Sequence, residues 1–455
     1  MPAHAEARAR IETSARPEGM QGWAARADTR DMSPLDRVAT VRPELPALLR
    51  PVPVSLSRVA DALVLILLGL FLHGFAYRNL THQGDLKTYQ LAASAVQSGL
   101  DPYLPENLAQ LAGRRVFPFV YPPVALLPFL AVAGLPAKTV ALAWIWGKIV
   151  LLGLLAWAWA RWLSGGSSLL AVALVAVFGW NGSSQWDLSA GNVAIVECAL
   201  LWAAFGCFIA GRRGLFAALI VVAACFKLLP AMFLLLLLLP TGGSKASPRL
   251  LGTAFLALLL LTLLPTLVGP ASGYQKFWLA VPDATAYADA NPSALGLLSH
   301  LVGSTGVNES VAAPASLALW ACYALGLVLA SFGVLRDSFA RQDARHWVMC
   351  AVFLYVLLLP RPMAYGFVLL TPAPLYFAPR PFDRTAGRLL LALVLAAQGL
   401  WKFTLNRSDS FLVTYAPFLL TLCVWLLVVN EHSSSRARTS ADGTEDDVVA
   451  QARAS

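Results

Sequence analysis

The feature that most constrains this chain is an apolar run of roughly 20 residues that recurs along its length. Hydrophobic residues make up 58% of the 455 residues and charged residues only 13%. A helix of that length crosses the hydrocarbon layer, about 30 Å thick, and pairs its own backbone groups inside it. We therefore predict an all-α integral membrane protein rather than a protein with one large soluble core.

We count about twelve candidate membrane spans of the length that a bilayer requires. They cover residues 57–77, 120–134, 137–162, 168–181, 190–210, 215–239, 250–269, 311–335, 347–360, 364–378, 388–405 and 411–430. In this scheme the basic loops 245–249, 336–346 and 379–388 share one face, which the positive-inside rule makes cytoplasmic. The loop 211–214 is also basic but falls on the opposite face. The multi-pass domain is predicted to lie in the cell membrane.

The two ends differ in composition from the middle of the chain. Residues 1–56 mix Arg, acidic residues, Ala and Pro without an apolar period, and residues 431–455 are rich in Ser, charge and Ala. Both are predicted to be disordered and cytoplasmic, which leaves 57–430 as the transmembrane domain. The net charge of +9 is attributed to these basic loops and not to a nucleic-acid partner.

The first long loop on the outer side, residues 78–119, is predicted to contain interfacial helices. From Asp85 onward, Tyr89 and several small residues follow one helical face, and Gly99 is a C-cap signal. A second short helix is predicted over residues 106–113. Arg114 and Arg115 follow it, where they either grip a phosphate bidentately or contact lipid headgroups.

Asp85 is the carboxylate of greatest interest in that loop. A lone acidic side chain at the membrane surface is well placed to act as a general base on a lipid-borne substrate. The alternative is an ordinary first-turn residue favoured by the helix macrodipole.

Ionisable residues inside apolar spans are costly, so each is a functional candidate. Lys148, Glu197 and Lys227 are the clear cases. They indicate either a buried structural Lys–Glu pair or a polar cavity that holds a phosphate or sugar. Arg361 lies between two prolines in a stiff extended backbone, which suits a fixed cation aimed at an anionic headgroup or an ordinary interface anchor.

Several chemistries lack their motifs in the sequence. It contains no GxxxxGK[ST] phosphate loop, no HExxH metal motif and no GxSxG nucleophile elbow. We therefore predict no cofactor and no metal. A donor already activated on a lipid needs neither a nucleotide nor a soluble domain.

Several of these segments resemble glycosyltransferase family 87. Asp85 and Tyr89, with residues 99–103 and 121–123, are similar to its first-loop signature. Residues 191–193 resemble its Gly-Gln-(Val/Ile)-Asn element, with Asn192 where Gln is usual. Residues 227–230 resemble its Lys-x-x-Pro element, and residues 291–293 its Asn-Gln-Ser element. The family often has a Trp and His pair in the segment that is Arg-Pro-Met-Ala-Tyr in this chain.

The resemblance implies a multispanning bundle of the GT-C type and transfer of a sugar, with mannose favoured, from polyprenyl phosphate to a lipid or glycan acceptor. By this resemblance Asp85 is the catalytic base of an inverting displacement at an active site outside the cytoplasm. The predicted partners are the polyprenyl-phosphate sugar donor, the acceptor and membrane lipids. The residues predicted to bind the donor phosphate are Lys227, Arg361, Arg114 and Arg115, and those predicted to bind substrate are Tyr89, Tyr121, Asn192, Glu197, Asn291, Ser293, His300 and Tyr365.

Two other classes of function remain open from the sequence. A secondary transporter or flippase would use Lys148, Glu197 and Lys227 as a central site near the bilayer midplane. A structural assembly protein would have no cavity at all. A deep outward cavity with Asp85 on its wall would favour the enzyme, and a pseudo-two-fold axis through Glu197 and Lys227 would favour transport.

Overall fold

The computed structural model describes residues 54–163, 168–241, 245–267, 275–279, 291–378, 385–405 and 411–454. Most of these residues are helical, and none of those described forms a strand, which confirms the all-α fold class. The α-helices span Val54–Arg78, Gly84–Gln97, Pro105–Ala112, Leu127–Leu130, Ala137–Ala158, Leu169–Ala190, Ala194–Ile209, Arg213–Phe226, Pro248–Leu263, Ala294–Ser304, Glu309–Arg341, Ala344–Leu358, Ala373–Tyr376, Thr385–Leu405 and Phe411–Ala454. Residues 1–53 of the predicted disordered N-terminal segment lie outside the described residues.

Four of the described helices are long and apolar enough to cross a membrane. They cover Val59–Arg78, Ala137–Leu163, Glu309–Arg341 and Val413–Ser434. The pair Leu169–Ala190 and Ala194–Ile209, bent by 116°, gives a fifth if it is counted as one span. The other apolar helices of 10–17 residues are Arg213–Phe226, Leu229–Leu238, Pro248–Leu263, Ala294–Ser304, Ala344–Leu358 and Thr385–Ala397. The chain is a membrane protein, and many of its apolar segments are broken.

The predicted span 120–134 is wrong. The structure has two helices of four residues each in this segment, Pro123–Leu126 and Leu127–Leu130. Prolines interrupt the segment, and each removes a backbone N–H that a longer helix needs. The ring of Phe129 packs against Tyr89 of the first loop, with ring centroids 4.7 Å apart. The segment therefore belongs to the layer formed by that loop.

The predicted single span 215–239 is also wrong, because this segment is a hairpin. Arg213–Phe226 is an α-helix, and Leu229–Leu238 is a separate 3₁₀ helix. Between them Lys227 has an extended backbone, with φ −143° and ψ 130°. Pro230 lies in the first turn of the second helix, where its missing N–H costs nothing. Lys227 is thus at the turn of the hairpin and not inside a continuous helix.

The two ends of this hairpin lie together. The guanidinium of Arg213 donates hydrogen bonds to the carbonyl oxygens of Leu237 (3.1 Å) and Leu239 (2.7 Å), and to the hydroxyl of Thr241 (3.1 Å). The basic loop 211–214 is therefore on the same face as the loop that contains Lys245. This removes the conflict with the positive-inside rule, which arose because the predicted spans 120–134 and 215–239 were assigned wrongly.

The helix predicted over 168–181 continues to Ala190 after a sharp turn. Residues 179–182 leave the helical conformation, and Trp180 and Asn181 have positive φ angles of 55° and 59°. Gly399 of the helix Thr385–Leu405 packs against this turn, and a Cβ there would collide with the carbonyl of Phe178. The added turns after residue 182 bring Asp187 into the buried part of the bundle.

The two helices predicted in the first loop are present. The first helix, Gly84–Gln97, ends as predicted, with Gly99 at φ +72° and the amide of Leu100 bonded to the Ala95 carbonyl (2.8 Å). The second helix, Pro105–Ala112, ends at Gly113 with φ +64°. The two helices form a hydrophobic cluster of their own. It is built around Leu86, Tyr89, Tyr103, Leu108, Phe119 and Phe129.

The two longest loops meet on one face of the bundle, as predicted. Lys276, in the helical residues 275–279, forms an ion pair with Asp101 of the first loop at 2.5 Å. The neighbouring Phe277 is buried in the first-loop cluster. The first loop and residues 275–279 are therefore parts of one surface.

The C-terminal segment differs from its prediction. The last helix, Phe411–Ala454, continues through the residues that were predicted to form a disordered tail. Ala and Arg, which recur in this segment, have high intrinsic helix propensity.

Candidate functional site

Asp85 is the centre of a polar cluster between the first loop and the bundle. Its Oδ2 accepts a hydrogen bond from Nδ2 of Asn192 at 2.7 Å. The same Nδ2 lies 2.8 Å from the hydroxyl of Tyr121 and 3.1 Å from that of Tyr89, and the two hydroxyls are 2.8 Å apart. We call these four residues the Asp85 cluster. Asn192 thus contacts the predicted base, and Tyr89 and Tyr121 contact Asn192 and each other. All three were predicted from the sequence to bind substrate.

The turn that carries Asn192 fits tightly against the helix that carries Asp85. Gly191 has φ +77°, a left-handed conformation that glycine adopts without strain. A Cβ at this position would lie only 2.8 Å from Cβ of Leu86 and 2.7 Å from Oε1 of Gln83. Glycine therefore allows the close approach that brings the Asn192 amide to the carboxylate.

Two further side chains stabilise the contact between the Asn192 turn and the Asp85 helix. Nε2 of Gln83 donates to the carbonyl oxygens of Leu188 (2.6 Å) and Ser189 (3.2 Å), which ties the start of the Asp85 helix to the bundle. Nε1 of Trp144 donates to the carbonyl of Gly191 at 3.0 Å. Neither residue was nominated from the sequence, because both contacts are made to backbone atoms.

The sequence also missed the partner of Lys148. Its ammonium forms a fully buried ion pair with Asp187, with Nζ 2.9 Å from Oδ2. Asp187 was not predicted as a site residue, because the predicted helix ended at residue 181 and the following residues were assigned to a loop. The rule that marks ionisable residues inside spans would have selected it if the helix had been extended to Ala190.

The surroundings of Asp85 raise the pKa of its carboxyl group. Burial raises the pKa of its carboxyl above the ordinary value, and the hydrogen bond from Asn192 opposes that rise. The negative charge of Asp187 raises the pKa further, while Lys227 and Lys148 lower it. A raised pKa makes the ionised carboxylate a stronger base than an exposed aspartate.

A cavity opens near the cluster, and Asp85 is not among the residues that line it. Its lining is mostly apolar, with a few charged and phenolic groups at one side. The lining residues are Ala194, Glu197, Cys198, Leu201, Lys227, Leu229, Tyr355, Val356, Leu359, Arg361, Pro362, Met363, Tyr365, Gly366, Val368 and Leu369. An apolar cleft with a small number of polar groups is the usual form of a site for an amphiphilic ligand.

Lys227 and Glu197 form an ion pair on the wall of this cavity, with Nζ 2.6 Å from Oε2. The pairing predicted as one of the two alternatives is therefore present. The side chain of Lys227 is nevertheless 26% exposed, and that of Glu197 is 11% exposed. Because both side chains also line the cavity, the ammonium can contact a ligand there while it stays next to Glu197.

Tyr365 connects the cavity with the Asp85 cluster. Its ring is part of the cavity wall, and Nζ of Lys227 lies 5.4 Å from the ring centroid. Its phenol lies within electrostatic range of Tyr121 and Asp85. Polar side chains therefore lie between Asp85 and Lys227, in the order Asn192, Tyr121 and Tyr365.

Arg361 lies on the cavity wall, and its backbone is held by the segment 291–293. Nδ2 of Asn291 and Oγ of Ser293 both donate to the carbonyl of Pro360, at 2.9 Å and 2.8 Å. Ser293 also caps the helix Ala294–Ser304 by accepting from the amide of Gly296. The structure thus places Asn291 and Ser293 behind Arg361, where they orient its backbone.

Three predicted residues belong neither to the cavity lining nor to the Asp85 cluster, and they make none of the contacts that hold Pro360. His300 is exposed and packs against the rings of Phe411 and Tyr415, at centroid distances of 5.2 Å and 5.9 Å. Arg114 and Arg115 are exposed on the first loop.

Within the described residues, no three His, Cys, Asp or Glu side chains gather as a metal site requires.

Comparison with known proteins identifies the family of this chain. Curated proteins and solved structures give no match. The family model of glycosyltransferase family 87 matches residues 119–360, a segment that includes Asn192, Glu197 and Lys227. Since this segment is more than half of the 455 residues, the chain belongs to glycosyltransferase family 87 and is a membrane glycosyltransferase.

Proposed function

We propose that the enzyme transfers a sugar, with mannose favoured, from polyprenyl phosphate to a hydroxyl group of a lipid or glycan acceptor. The observation that carries this proposal is the arrangement of a partly buried carboxylate near an apolar cavity with cations on its wall. Asp85 is hydrogen-bonded to Asn192, Asn192 to Tyr121, and Tyr365 lies between Tyr121 and the side of the cavity that contains Lys227. Membership of a glycosyltransferase family also decides against the transporter and assembly alternatives.

The proposed reaction is a single inverting displacement. Asp85 takes the proton of the acceptor hydroxyl as its oxygen attacks the anomeric carbon of the donor sugar. The bond between that carbon and the phosphate oxygen breaks, and the phosphate leaves with the electron pair. Lys227 and Arg361 stabilise the negative charge on the leaving phosphate, an electrostatic contribution that is strong in a site sheltered from water.

The cavity supports a lipid-linked donor rather than a soluble nucleotide sugar. Its apolar side chains, such as Leu201, Leu229 and Val356, suit a polyprenyl chain, and Arg361 and Lys227 suit its phosphate. Arg114 and Arg115 are exposed outside the cavity lining, so we propose lipid headgroups as their contacts.

The experiment that tests this function uses membranes containing the enzyme, radiolabelled polyprenyl-phosphate-mannose and a lipid-extract acceptor. We expect a labelled lipid or glycan product that membranes without the enzyme do not form. Label that stays on polyprenyl phosphate, with transfer from a different polyprenyl-phosphate sugar, would reject mannose. No transfer from any polyprenyl-phosphate sugar, with transfer from a nucleotide sugar, would reject the donor class.

We also propose that the active site faces away from the cytoplasm of a cell membrane. The basic loops are expected to be cytoplasmic, and with the corrected hairpin the loop 211–214 joins them. Asp85, the loop 270–310 and Arg361 then lie on the opposite face. This orientation would give the catalytic carboxylate access to acceptors outside the cell.

Cysteine labelling tests this orientation at exposed positions. The native cysteines are replaced, and single cysteines are introduced at His82, Ser304, Arg212 and Ala340, all exposed in the structure. We expect an impermeant thiol reagent to label positions 82 and 304 in intact cells, and positions 212 and 340 only after the membrane is opened.

The position 212 result tests the hairpin separately from the orientation. Labelling at 212 in intact cells, with 340 protected, would contradict the hairpin and restore the single span 215–239. Protection at 82 with labelling at 340 would invert the whole topology and refute an outward-facing active site.

A further inference from the structure

The buried ion pair between Lys148 and Asp187 has no role in the reaction proposed above. Both side chains are almost fully buried, at 1% and 0% exposed. Replacing such a pair with apolar residues of similar volume is often neutral or stabilising. Stability alone therefore does not account for an ion pair at this position.

The contacts of Lys148 are directed at the turn that carries Asn192. Its Nζ lies 2.9 Å from Oδ2 of Asp187, 2.8 Å from the carbonyl oxygen of Asp187 and 3.2 Å from the carbonyl oxygen of Asn192. A lysine ammonium has three donor hydrogens, so these contacts account for all of them. Lys148 thus connects the two ends of residues 187–192.

Asp187 holds the other side of the same turn. Its Oδ1 accepts the backbone N–H of Ala194 at 3.0 Å, the first residue of the next helix. Its carbonyl accepts the N–H of Gly191 at 2.9 Å and that of Asn192 at 3.3 Å. One ion pair therefore fixes the whole turn from residue 187 to residue 194.

We infer that Lys148 and Asp187 are positioning residues, which hold the 187–194 turn so that the Asn192 amide faces the Asp85 carboxylate. The inference rests on the proposed role of Asp85 as the base. Asn192 is the link, since its Nδ2 donates to Asp85 while its carbonyl accepts from Lys148. Without the pair, the turn can rotate and the amide no longer faces the carboxylate.

The pH profile separates positioning from a direct charge effect. The groups that act on Asp85 are Asn192, Asp187, Lys227 and Lys148, together with the phenols of Tyr89 and Tyr121, whose own pKa values burial raises. The Asn192 hydrogen bond lowers the pKa of Asp85, so its loss raises that pKa. Asp187 raises the pKa and Lys148 lowers it, so removing both charges has opposing effects.

The test uses the double variant Lys148→Met/Asp187→Asn. The new Asn keeps an acceptor for the Ala194 amide, and no unpaired charge is left in the interior. With polyprenyl-phosphate-mannose as donor, we expect kcat to fall on the order of 10²-fold, the scale seen when a reacting group is misplaced by about 1 Å. We expect KM for the donor to be unchanged. In the plot of kcat/KM against pH, we expect the fall on the acidic side (the acidic limb) to move to higher pH.

Two further variants keep the inference testable if the double variant folds poorly. Asn192→Ala removes the hydrogen bond directly and should move the acidic limb in the same direction. Lys148→Arg keeps the cation and should leave the limb near its original position. Thermal unfolding in detergent shows which variants are folded.

Three results would overturn the inference. They are a folded double variant with unchanged kcat and pH profile, a limb that moves to lower pH, and an Asn192→Ala variant whose limb does not move. Asp85→Asn is measured in parallel. If that variant keeps normal activity, the assignment of the base has failed. If it is inactive while the double variant behaves as wild type, only the inference on Lys148 and Asp187 has failed.

Discussion

Asp85→Asn should lower turnover by about 10²–10⁴-fold, the usual contribution of a general base. Asparagine keeps the size of the side chain and retains an oxygen that accepts the hydrogen bond from Asn192, but it cannot take a proton from the acceptor. The fold should therefore be unaffected. Turnover of purified enzyme with polyprenyl-phosphate-mannose measures the effect.

Glu106→Gln is the matched control. Glu106 occupies the second position of the neighbouring interfacial helix, just as Asp85 does in its own helix, but its side chain is exposed. The same change from carboxylate to amide should leave turnover near the wild-type value. Near-normal activity of Asp85→Asn would reject Asp85 as the base and leave it as a first-turn residue favoured by the macrodipole.

The pH dependence of the wild-type enzyme provides a second check on Asp85. Its folded-state pKa is raised above the ordinary aspartate value of 3.8, with burial as the main cause. The base is active when ionised, so activity should be lost as the pH falls through this raised pKa. The acidic limb should therefore lie above the pH at which an exposed aspartate titrates.

Local sequence patterns predicted the first loop well. Asp85, Tyr89 and Gly99 follow a helical period that ends in a glycine C-cap, and the observed helix has this face and this end. These features depend on residues that are close in the sequence. A helix period and a left-handed glycine need no knowledge of the rest of the fold.

The span boundaries were predicted less well, because apolar composition does not distinguish a long helix from a broken one. The hairpin around Lys227 has nearly continuous apolar sequence, and the break is in the backbone of Lys227 itself. Arg213 shows the same limit. Its charge indicates a cytoplasmic loop, but its side chain is fixed by carbonyl groups at the far end of the hairpin.

The contacts that assemble the site join residues distant in sequence. Asn192 and Asp85 are 107 positions apart, and Lys148 and Asp187 are 39 apart. The sequence indicated Asp85, Asn192 and Lys148 as individual candidates. It could not pair Lys148 with Asp187, because that pairing depends on how the turn at residues 179–182 redirects the chain.

Lys227→Met should weaken binding of polyprenyl phosphate by about 1.5–3 kcal/mol, the range for a hydrogen bond to a charged group. This corresponds to a dissociation constant about 10- to 150-fold higher. The expectation follows from the position of Lys227 on the cavity wall, where its side chain is 26% exposed even though it is paired with Glu197. Affinity measured on purified protein in detergent tests it.

Because Lys227 is paired with Glu197, its replacement affects both folding and affinity. A set of three variants separates the two effects. Lys227→Met alone leaves the Glu197 carboxylate with little solvent and no cation beside it, so some loss of folding is expected whatever Lys227 does. The double variant Lys227→Met/Glu197→Gln removes both charges and should recover folding without recovering affinity. Glu197→Gln alone keeps the cation and removes its competitor, so binding of the phosphate should become tighter. If Lys227 serves only to pair with Glu197, the double variant will bind polyprenyl phosphate as tightly as the wild type, and the leaving phosphate must be stabilised by Arg361 without it.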